Sequence, residues 1–421
     1  MFKFIHAADI HLDSPLAGLE RYDDAPVSEI RGATRHAFSN LVRLAIVERV
    51  DFLLIAGDLY DGDWRCYRTG LHFVQQMREL REARIPVYIV AGNHDAANLM
   101  TRSLPLPANV HMLSATRPET QHIDSLCVAI HGQGFCKRAV FENLAAAYPH
   151  ATKGCFNIGM LHTCATGRDG HDSYAPCTVD ELVSKGYDYW ALGHVHERET
   201  LHLEPTIVFP GNLQGRNIRE TGPKGCMLVT VDDGQACDVA FHPLDVLRWQ
   251  MCRVRADGAA RVDDVLESFE GELKDLLHDS DDRPMALRVE ISGRCPAHRQ
   301  LAAQEHACKN QVRAIALDLG GGNVWIEKVK LSTAAPDNSA DIAAAEGPLG
   351  ELLGLINELR HDDGQLTALA KELDDLRKKL PGELLEGPDS VQLHDPNWIR
   401  GMLDQVEPLL IGRLLPGADV P

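Results

Sequence analysis

Five short apolar runs in the first half of the chain end on side chains of the kinds that bind metals. Runs of this length, bounded by glycine or polar residues, are typical of strands that are buried on both faces of a sheet. Helical patterns separate the runs, so this part of the chain is predicted to form a layered α/β domain. The runs, each with the residues that follow it, are Phe2–Ala8 before Asp9-Ile10-His11, Phe52–Ala56 before Gly57-Asp58, Val87–Ala91 before Gly92-Asn93-His94-Asp95, Phe156–Leu161 before His162, and Tyr189–Leu192 before Gly193-His194-Val195-His196.

The polar residues at these strand ends are expected to meet in one crevice. Ligands of open α/β sheets gather at the carboxyl ends of the strands. Two of the clusters are i, i+2 pairs, whose side chains project to the same face of an extended segment. Carboxylate, amide and imidazole groups together suit manganese, iron or zinc, and two divalent ions fit the number of donors. The predicted metal ligands are Asp9, His11, Asp58, Asn93, His162, His194 and His196.

Composition restricts the classes of protein that remain. The chain has eleven cysteines, an odd number without a CxxC pair, which indicates a reduced, cytoplasmic protein without a cysteine-based zinc site. A net charge of −19 argues against a general nucleic-acid coat protein, but bound divalent ions could supply positive charge to a nuclease. No apolar run approaches the ~20 residues of a membrane span, so no membrane partner is expected.

The rest of the chain divides into three further parts. Residues 244–332 alternate strand and helix patterns, with a helix predicted over Gln300–Val312, and should form a small α+β domain. Residues 333–349 are rich in Ala, Asp, Pro and Gly and are predicted to be a linker. Residues 350–421 are predicted to be a helical tail. Five leucines there lie three or four residues apart and form a narrow apolar seam, for either an intramolecular hairpin or a partner: Leu366, Leu369, Leu373, Leu376 and Leu380.

The order DxH, GD, GNHD, H and GHxH resembles the calcineurin-like metallophosphoesterase superfamily, over residues 1–243. The opening FIHAADIHLDSPL is similar to the DNA-repair nuclease branch that includes the SbcD-like proteins. The segment PGNLQGRNIRETGPKG is similar to the YhaO-like group of bacterial exonucleases. The resemblance implies a layered sheet-and-helix sandwich as the catalytic domain, a capping domain over residues 244–332, and a helical C-terminal tail.

The resemblance also implies a role for each site residue. Asp9, His11, Asp58 and His196 would hold one metal ion, and Asp58, Asn93, His162 and His194 the other. In this scheme Asp58 bridges the two ions. His94 would face the scissile phosphate without binding metal, and Asp61 would orient His94.

The predicted function is that of a two-metal DNA nuclease, an exonuclease in DNA repair, with Mn²⁺ as the expected ion. A water that bridges two divalent ions loses a proton at neutral pH, and the resulting hydroxide can attack phosphorus. The alternative is a phosphatase or phosphodiesterase that acts on small nucleotides or phosphoproteins, since these enzymes share the same ligands.

DNA contacts and protein partners are less visible in the sequence. Arg216 and Arg219 lie in a segment that could place a cationic strip beside the crevice, although ordinary surface charge would give the same pattern. The resemblance implies an SbcC-like ATPase with long coiled coils as a partner, docked on the helices of Gly350–Leu415. It also implies a homodimer formed through the catalytic domain.

Overall fold

The computed structural model describes residues 1–14, 27–61, 67–97, 105–165, 174–336, 348–380, 390–403 and 406. The chain forms two compact units. The first consists of Met1–Gln250 with Arg283–Ala286, and the second of Met251–Asp282 with Leu287–Pro421.

Two six-stranded sheets form the frame of the first unit. The strands of the first sheet, in spatial order, are β12 (Gln235–Pro243), β11 (Gly225–Asp232), β1 (Phe2–Ala7), β2 (Phe52–Ala56), β3 (Val87–Val90) and β4 (Val110–Met112). Those of the second sheet are β5 (Glu119–Ile123), β6 (Val128–Gln133), β7 (Phe156–His162), β8 (Tyr189–Gly193), β10 (Thr206–Phe209) and β9 (Glu199–Leu203).

The central strands of both sheets run parallel, so their carboxyl ends lie on one edge of each sheet. In the first sheet β1, β2, β3 and β4 are parallel, with Ala7 opposite Ile55 and Ala56 opposite Val90. In the second sheet β6, β7, β8 and β10 are parallel. Antiparallel strands complete the edges through the pairs β1–β11, β11–β12, β5–β6 and β10–β9. This arrangement brings the predicted ligands of five strands to one side of the unit.

Aromatic side chains fill the space between the two sheets. Phe4 and Phe52 stack with ring centroids 5.0 Å apart, and Phe4 meets Tyr189 edge to face at 5.1 Å. Such pairs stabilise a core beyond the area that they bury. On the outer face of the first sheet, α1 (Val27–Val47) and α2 (Tyr67–Glu82) contribute Phe38, Leu41, Phe73 and Met77 to a second core. The layered α/β fold predicted from the sequence is confirmed.

Short helices complete the first unit. The helix α3 (Asn93–Ala97) begins directly after β3, and α4 (Val179–Val183) precedes β8. At the start of α4 the Thr178 hydroxyl accepts a hydrogen bond from the Glu181 N–H, and the Glu181 carboxylate accepts one from the Thr178 N–H. This reciprocal pair satisfies two backbone donors that would otherwise have no partner within the helix.

The second unit combines a small sheet with helices. The sheet, most of whose residues belong to this unit, has its strands in the order β13 (Arg248–Arg255), β14 (Met285–Arg294) and β15 (Val324–Ala334). The helices are α5 (Val262–His278), α6 (His298–Ala303), α7 (Glu305–Gly320), α8 (Pro348–His361), α9 (Asp363–Glu372) and α10 (Asp374–Arg377), followed by a helical stretch over 396–403. Within the described ranges, no helix is long and apolar enough to cross a membrane.

Three predicted element boundaries were wrong, each for a local reason. A strand was expected over Leu126–His131, but β6 starts at Val128 because Cys127 adopts a left-handed backbone with φ 51°. The single helix expected over Gln300–Val312 is two helices, because the backbone leaves helical geometry at Gln304. The predicted linker 333–349 begins later than expected, since β15 continues to Ala334; residues 337–347 lie outside the described part of the chain.

The leucine seam of the tail packs partly within the chain. Leu366 is fully buried in a cluster with Ala370 and Ile399, and Leu369 and Leu373 pack against that cluster. Further along, Leu376 is 50% exposed. The first part of the seam therefore has an intramolecular role, while the docking of a partner on the tail stays a prediction.

Candidate metal centre

The predicted ligands lie where strands turn sharply into loops. Asp9, His11 and Asp58 have positive φ angles of 50°, 44° and 51°, and His194 has a φ of 102°. Such backbone conformations cost non-glycine residues on the order of 1–3 kcal/mol and cluster at functional sites. The strain is held in place by hydrogen bonds between loops, from Asp9 N–H to Gly57 O at 3.0 Å and from His11 N–H to Asp58 O at 2.9 Å.

Two glycines allow the strand ends to approach one another. A Cβ atom on Gly92 would lie 2.2 Å from Asp58 Oδ1, and one on Gly193 would lie 1.9 Å from the carbonyl oxygen of Ala56. Both distances are far shorter than van der Waals contact. Any side chain at either position would push the loops apart, so the compactness of the centre depends on these glycines.

Five of the seven predicted ligands come together through the metal-binding atoms of their carboxylate or imidazole groups. Metal-binding atoms of Asp9, His11 and His196 lie within 4.8 Å of one another, and so do those of Asp9, Asp58 and His162. His11 Nε2 lies 3.2 Å from His196 Nε2 and 3.8 Å from Asp58 Oδ2. Asp58 therefore lies between His11, which belongs to the first donor group, and His162, which belongs to the second.

The second half of the centre contains Asn93 and His194. The Asn93 amide oxygen lies 2.9 Å from His162 Nε2, which is 3.5 Å from Asp58 Oδ2. The ring of His194 lies 5.2 Å from that of His162 between centroids, so its side chain borders the same half of the centre. Its backbone N–H donates to both carboxylate oxygens of Asp9, at 3.1 and 2.9 Å.

The charges of the centre suit divalent cations. Burial, followed by the nearby Asp58 carboxylate, raises the pKa of Asp9 well above its usual range, and burial raises the pKa of Asp58. Burial lowers the pKa of His162 to about 3 and that of His11 well below its usual value. Neutral imidazoles therefore face buried carboxylates whose charge is disfavoured by burial, and carboxylate with neutral imidazole is a donor set that divalent metal ions bind.

His94 stands beside the ligands and is held by Asp61. Its Nδ1 atom lies 3.0 Å from Asp61 Oδ1, and its Nε2 atom lies 4.0 Å from Asp58 Oδ2. The Ser14 hydroxyl donates to the other Asp61 oxygen at 2.7 Å. Burial would lower the pKa of His94, but the hydrogen bond with Asp61 and the charge of Asp58 outweigh it and raise that pKa. The imidazolium form is therefore favoured, although the catalytic role of His94 stays a prediction.

Asp61 also approaches a ligand. Its Oδ1 atom lies 3.6 Å from His11 Nδ1, beyond hydrogen-bond length. Burial would raise the pKa of Asp61, but its contacts with His11 and His94 outweigh this and keep that pKa far below the usual range. Asp61 is therefore ionised and can fix the orientation of the ring next to it.

Asp95 ties together the loops that carry Asp58 and Asn93, a role that sequence reasoning did not assign. This buried carboxylate accepts hydrogen bonds from the backbone N–H groups of Leu59, Tyr60 and Gly92, at 3.2, 3.0 and 3.0 Å. Burial, followed by repulsion from Asp58, raises the pKa of Asp95 to about 6. Its place in the Gly-Asn-His-Asp cluster marked it as part of the site, but only the fold shows what it holds.

Glu220 is a second residue that sequence reasoning missed. Its side chain is buried, and its Oε1 atom lies 2.7 Å from His196 Nδ1. Asn212 Nδ2 and the Arg216 N–H both donate to Oε2, at 2.9 and 2.7 Å. The interaction with His196 fixes which ring nitrogen carries the proton, so that Nε2 keeps its lone pair toward the centre.

Arg216 and Arg219 lie in different environments. The Arg216 guanidinium is half-buried and donates to Glu220 Oε1 at 3.0 Å, with the same nitrogen 3.1 Å from His196 Nδ1. Arg219 is exposed, and its backbone N–H donates to the Asn217 side chain. The two arginines therefore differ in exposure, and a contact of either one with DNA stays a prediction. Arg216 belongs to the support of the centre, and Arg219 faces solvent.

Substitution Glu220→Gln should weaken metal binding. Loss of the negative charge lowers the basicity of His196 and leaves Arg216 without its ion-pair partner, and changes in such supporting residues typically cost about 10- to 100-fold in metal affinity. Titration calorimetry with MnCl₂ measures the effect. The control is Glu197→Gln, an exposed residue next to His196 in the chain. Equal affinities in the two folded variants would contradict a supporting role for Glu220.

Comparison with known proteins places both units among related chains. The family model described as calcineurin-like phosphoesterase matches residues 2–198, and the model described as metallophosphoesterase YhaO, middle domain, matches residues 249–334. The protein named uncharacterized metallophosphoesterase YhaO of Bacillus subtilis is 37% identical over 297 residues, which is 70% of this chain and 72% of that protein.

Two solved structures are similar at low sequence identity. One is a protein of Thermus thermophilus, with 14% identity and a TM-score of 0.34, covering 58% of this chain and 99% of the other. The other is a dimetal phosphatase from Danio rerio, with 13% identity and a TM-score of 0.35, covering 55% of this chain and 93% of the other.

Proposed function

This chain belongs to the calcineurin-like metallophosphoesterase superfamily, and from that premise we propose that it is a manganese-dependent DNA exonuclease. Members of the superfamily use a dimetal centre, and the chain is a metal-dependent phosphoester hydrolase. The observation that carries the proposal is a pair of donor groups that share Asp9. Asp58 lies between His11 of one group and His162 of the other, and His94 lies beside them. The similarity of FIHAADIHLDSPL to DNA-repair nucleases supports DNA as the substrate.

The residues around the centre have different roles in the proposed hydrolysis. Two bound divalent ions would supply positive charge for the phosphate oxygens and acidity for an attacking water. Asp9, Asp58 and the neutral histidines would hold these ions. His94 is only partly exposed, 28% for its side chain, and its raised pKa keeps a proton at Nε2 while Asp61 occupies Nδ1. His94 can therefore donate that proton to the departing oxygen of the ester.

A substrate panel tests the proposal. Linear duplex DNA, a chromogenic phosphodiester and a phosphomonoester are each incubated with the protein, with and without MnCl₂. We expect manganese-dependent release of nucleotides from DNA ends and slower hydrolysis of the small diester. Hydrolysis of the monoester alone would overturn the nuclease assignment and favour a phosphatase. Degradation of circular duplex DNA at the same rate as the linear duplex would overturn exonucleolytic action.

The two arginines should respond differently to salt. We expect Arg219→Ala to reduce the slope of log affinity for DNA against log salt concentration by about one, because one phosphate contact is lost. Arg216→Ala should instead weaken manganese binding, since Arg216 supports Glu220 and His196. The salt series is measured by fluorescence anisotropy, with Lys153→Ala, an exposed residue before β7, as control. A slope for Arg219→Ala equal to that of the control removes Arg219 from the DNA contacts.

A further inference from the structure

A line of three aromatic rings leads from the metal centre to solvent. The Tyr174 ring lies 5.6 Å from the ring of His194 between centroids, at an interplanar angle of 62°. The Phe141 ring lies 5.8 Å from that of Tyr174, at 40°. Phe141 is 65% exposed, so its ring ends the line at the surface. A flat apolar surface therefore lies two ring contacts away from a predicted metal ligand.

The segments that carry these rings are anchored to the loop after His162. The Cys164 N–H donates to the Tyr174 carbonyl at 2.9 Å, and the Thr163 hydroxyl donates to the Ala175 carbonyl at 2.7 Å. The Ala175 N–H in turn donates to the carbonyl of Val140, the residue before Phe141, at 2.7 Å. The rings are thus held at a fixed place relative to the centre and need little ordering when a ligand arrives.

Packing alone does not account for the position of Phe141. Its neighbours Phe135 and Val140 are buried in a small cluster with Ala175. The Phe141 side chain itself stays outside, and across the described ranges it is the only phenylalanine or tryptophan that is exposed. Single exposed apolar side chains are common on protein surfaces, so it is the position of the Phe141 ring at the end of the line from His194 that distinguishes it.

Cations lie on the same loop as Phe141. Lys137 and Arg138 are both exposed and follow the carboxyl end of β6. Lys137 Nζ lies 3.5 Å from Glu142 Oε1, with both side chains more than half exposed. Exposed pairs of this kind contribute little free energy, so a phosphate group can replace the carboxylate. Cations that track a backbone, together with aromatic rings that stack on bases, are the common features of single-stranded nucleic-acid sites.

We propose that Phe141 and Tyr174 form a stacking platform for a nucleobase of a single-stranded DNA end whose scissile phosphate lies at the metal centre. The proposal rests on the nuclease function proposed above and adds a base-binding subsite to it. The Phe141 face takes the base, and Lys137 and Arg138 attract the neighbouring phosphates. Stacking on a ring tolerates any base, because every base has a π face.

A cycle of two changes, one in the protein and one in the substrate, tests the platform. The manganese-loaded protein and its Phe141→Ala variant each hydrolyse oligothymidylate and the same oligomer with abasic residues at both ends. Removal of the bases should lower kcat/KM of the parent protein by about tenfold, mainly through KM, and should have little further effect on the variant. Phe141→Trp should keep the preference for bases, whereas Phe141→Leu, which is apolar without a π system, should lose it.

Controls separate failure of the platform from failure of the nuclease assignment. Leu203→Ala removes another exposed apolar side chain, 77% exposed on β9, and should leave the preference for bases unchanged. If the parent protein hydrolyses no oligonucleotide, the nuclease assignment fails, and the platform fails with it. If it hydrolyses both oligomers but Phe141→Ala behaves like Leu203→Ala, or if Phe141→Leu retains the preference, the platform alone is overturned.

Discussion

Substitution Asp58→Asn should abolish both metal binding and hydrolysis, with a fall in kcat/KM of at least about a thousandfold, or roughly 4 kcal/mol of barrier. Asp58 is 1% exposed and lies between His11 and His162, 3.8 and 3.5 Å from their Nε2 atoms. Asparagine has nearly the same shape but carries no charge and offers only one oxygen ligand. The centre then keeps its neutral imidazoles but loses half of the negative charge that would attract two cations.

Elemental analysis of the purified variant after dialysis measures the loss of metal. The matched control is Asp51→Asn, which makes the same chemical change just before the amino-terminal end of β2, where Asp51 Oδ2 accepts a hydrogen bond from the Lys3 N–H. That control should keep its metal and its activity. Two retained ions per chain in Asp58→Asn would contradict the predicted role of Asp58 as a ligand of both ions.

His94→Ala should give the opposite combination, with metal retained and hydrolysis of DNA reduced by about 10²- to 10⁴-fold, the usual contribution of a general acid. The ring of His94 is paired with Asp61 and lies 4.0 Å from Asp58, so its loss removes a proton donor and leaves the predicted ligands in place. Alkoxide leaving groups, as in DNA, need that proton. A nitrophenolate leaving group does not, so a chromogenic diester should be affected much less.

The two substrates distinguish a general acid at position 94 from a metal ligand. If His94 is instead a metal ligand, both substrates lose activity equally and the metal content falls. The alternative role as a metal ligand needs this test, because His11, Asp58 and His94 also offer metal-binding atoms within 4.8 Å of one another. Retained metal with a large loss on DNA and a small loss on the chromogenic diester is the expected result.

The pH profile of DNA hydrolysis should report on the same pair. Asp61 and Asp58 raise the pKa of His94, so its acid form persists to higher pH than in a free imidazole, and the rate should fall as pH rises through that raised pKa. In Asp61→Asn the charge that raises the pKa of His94 is lost, so the effect of burial, which lowers that pKa, has less to oppose it. The descending limb of the profile should therefore move to lower pH in that variant.

The sequence predicted the site better than it predicted the boundaries of the strands and helices. Each predicted ligand lies at the end of an apolar strand or a few residues after it. Parallel strands place their carboxyl ends on one edge, so local pattern was enough to predict the crevice around Asp58 and His162. Element boundaries were less secure. The strand expected over Leu126–His131 starts late because Cys127 takes a left-handed backbone, which no periodicity of apolar residues reveals.

The sequence by itself determined the layered α/β fold and the kind of chemistry, because both depend on side-chain type and on spacing along single strands. Only the tertiary structure decided how the centre is supported. The contact between Glu220 and His196 joins loops 24 residues apart, the Phe141 ring reaches Tyr174 from another loop, and Arg216 turns inward while Arg219 faces solvent. Loops have no repeating pattern from which such contacts can be predicted, because their geometry is set by the elements that they connect.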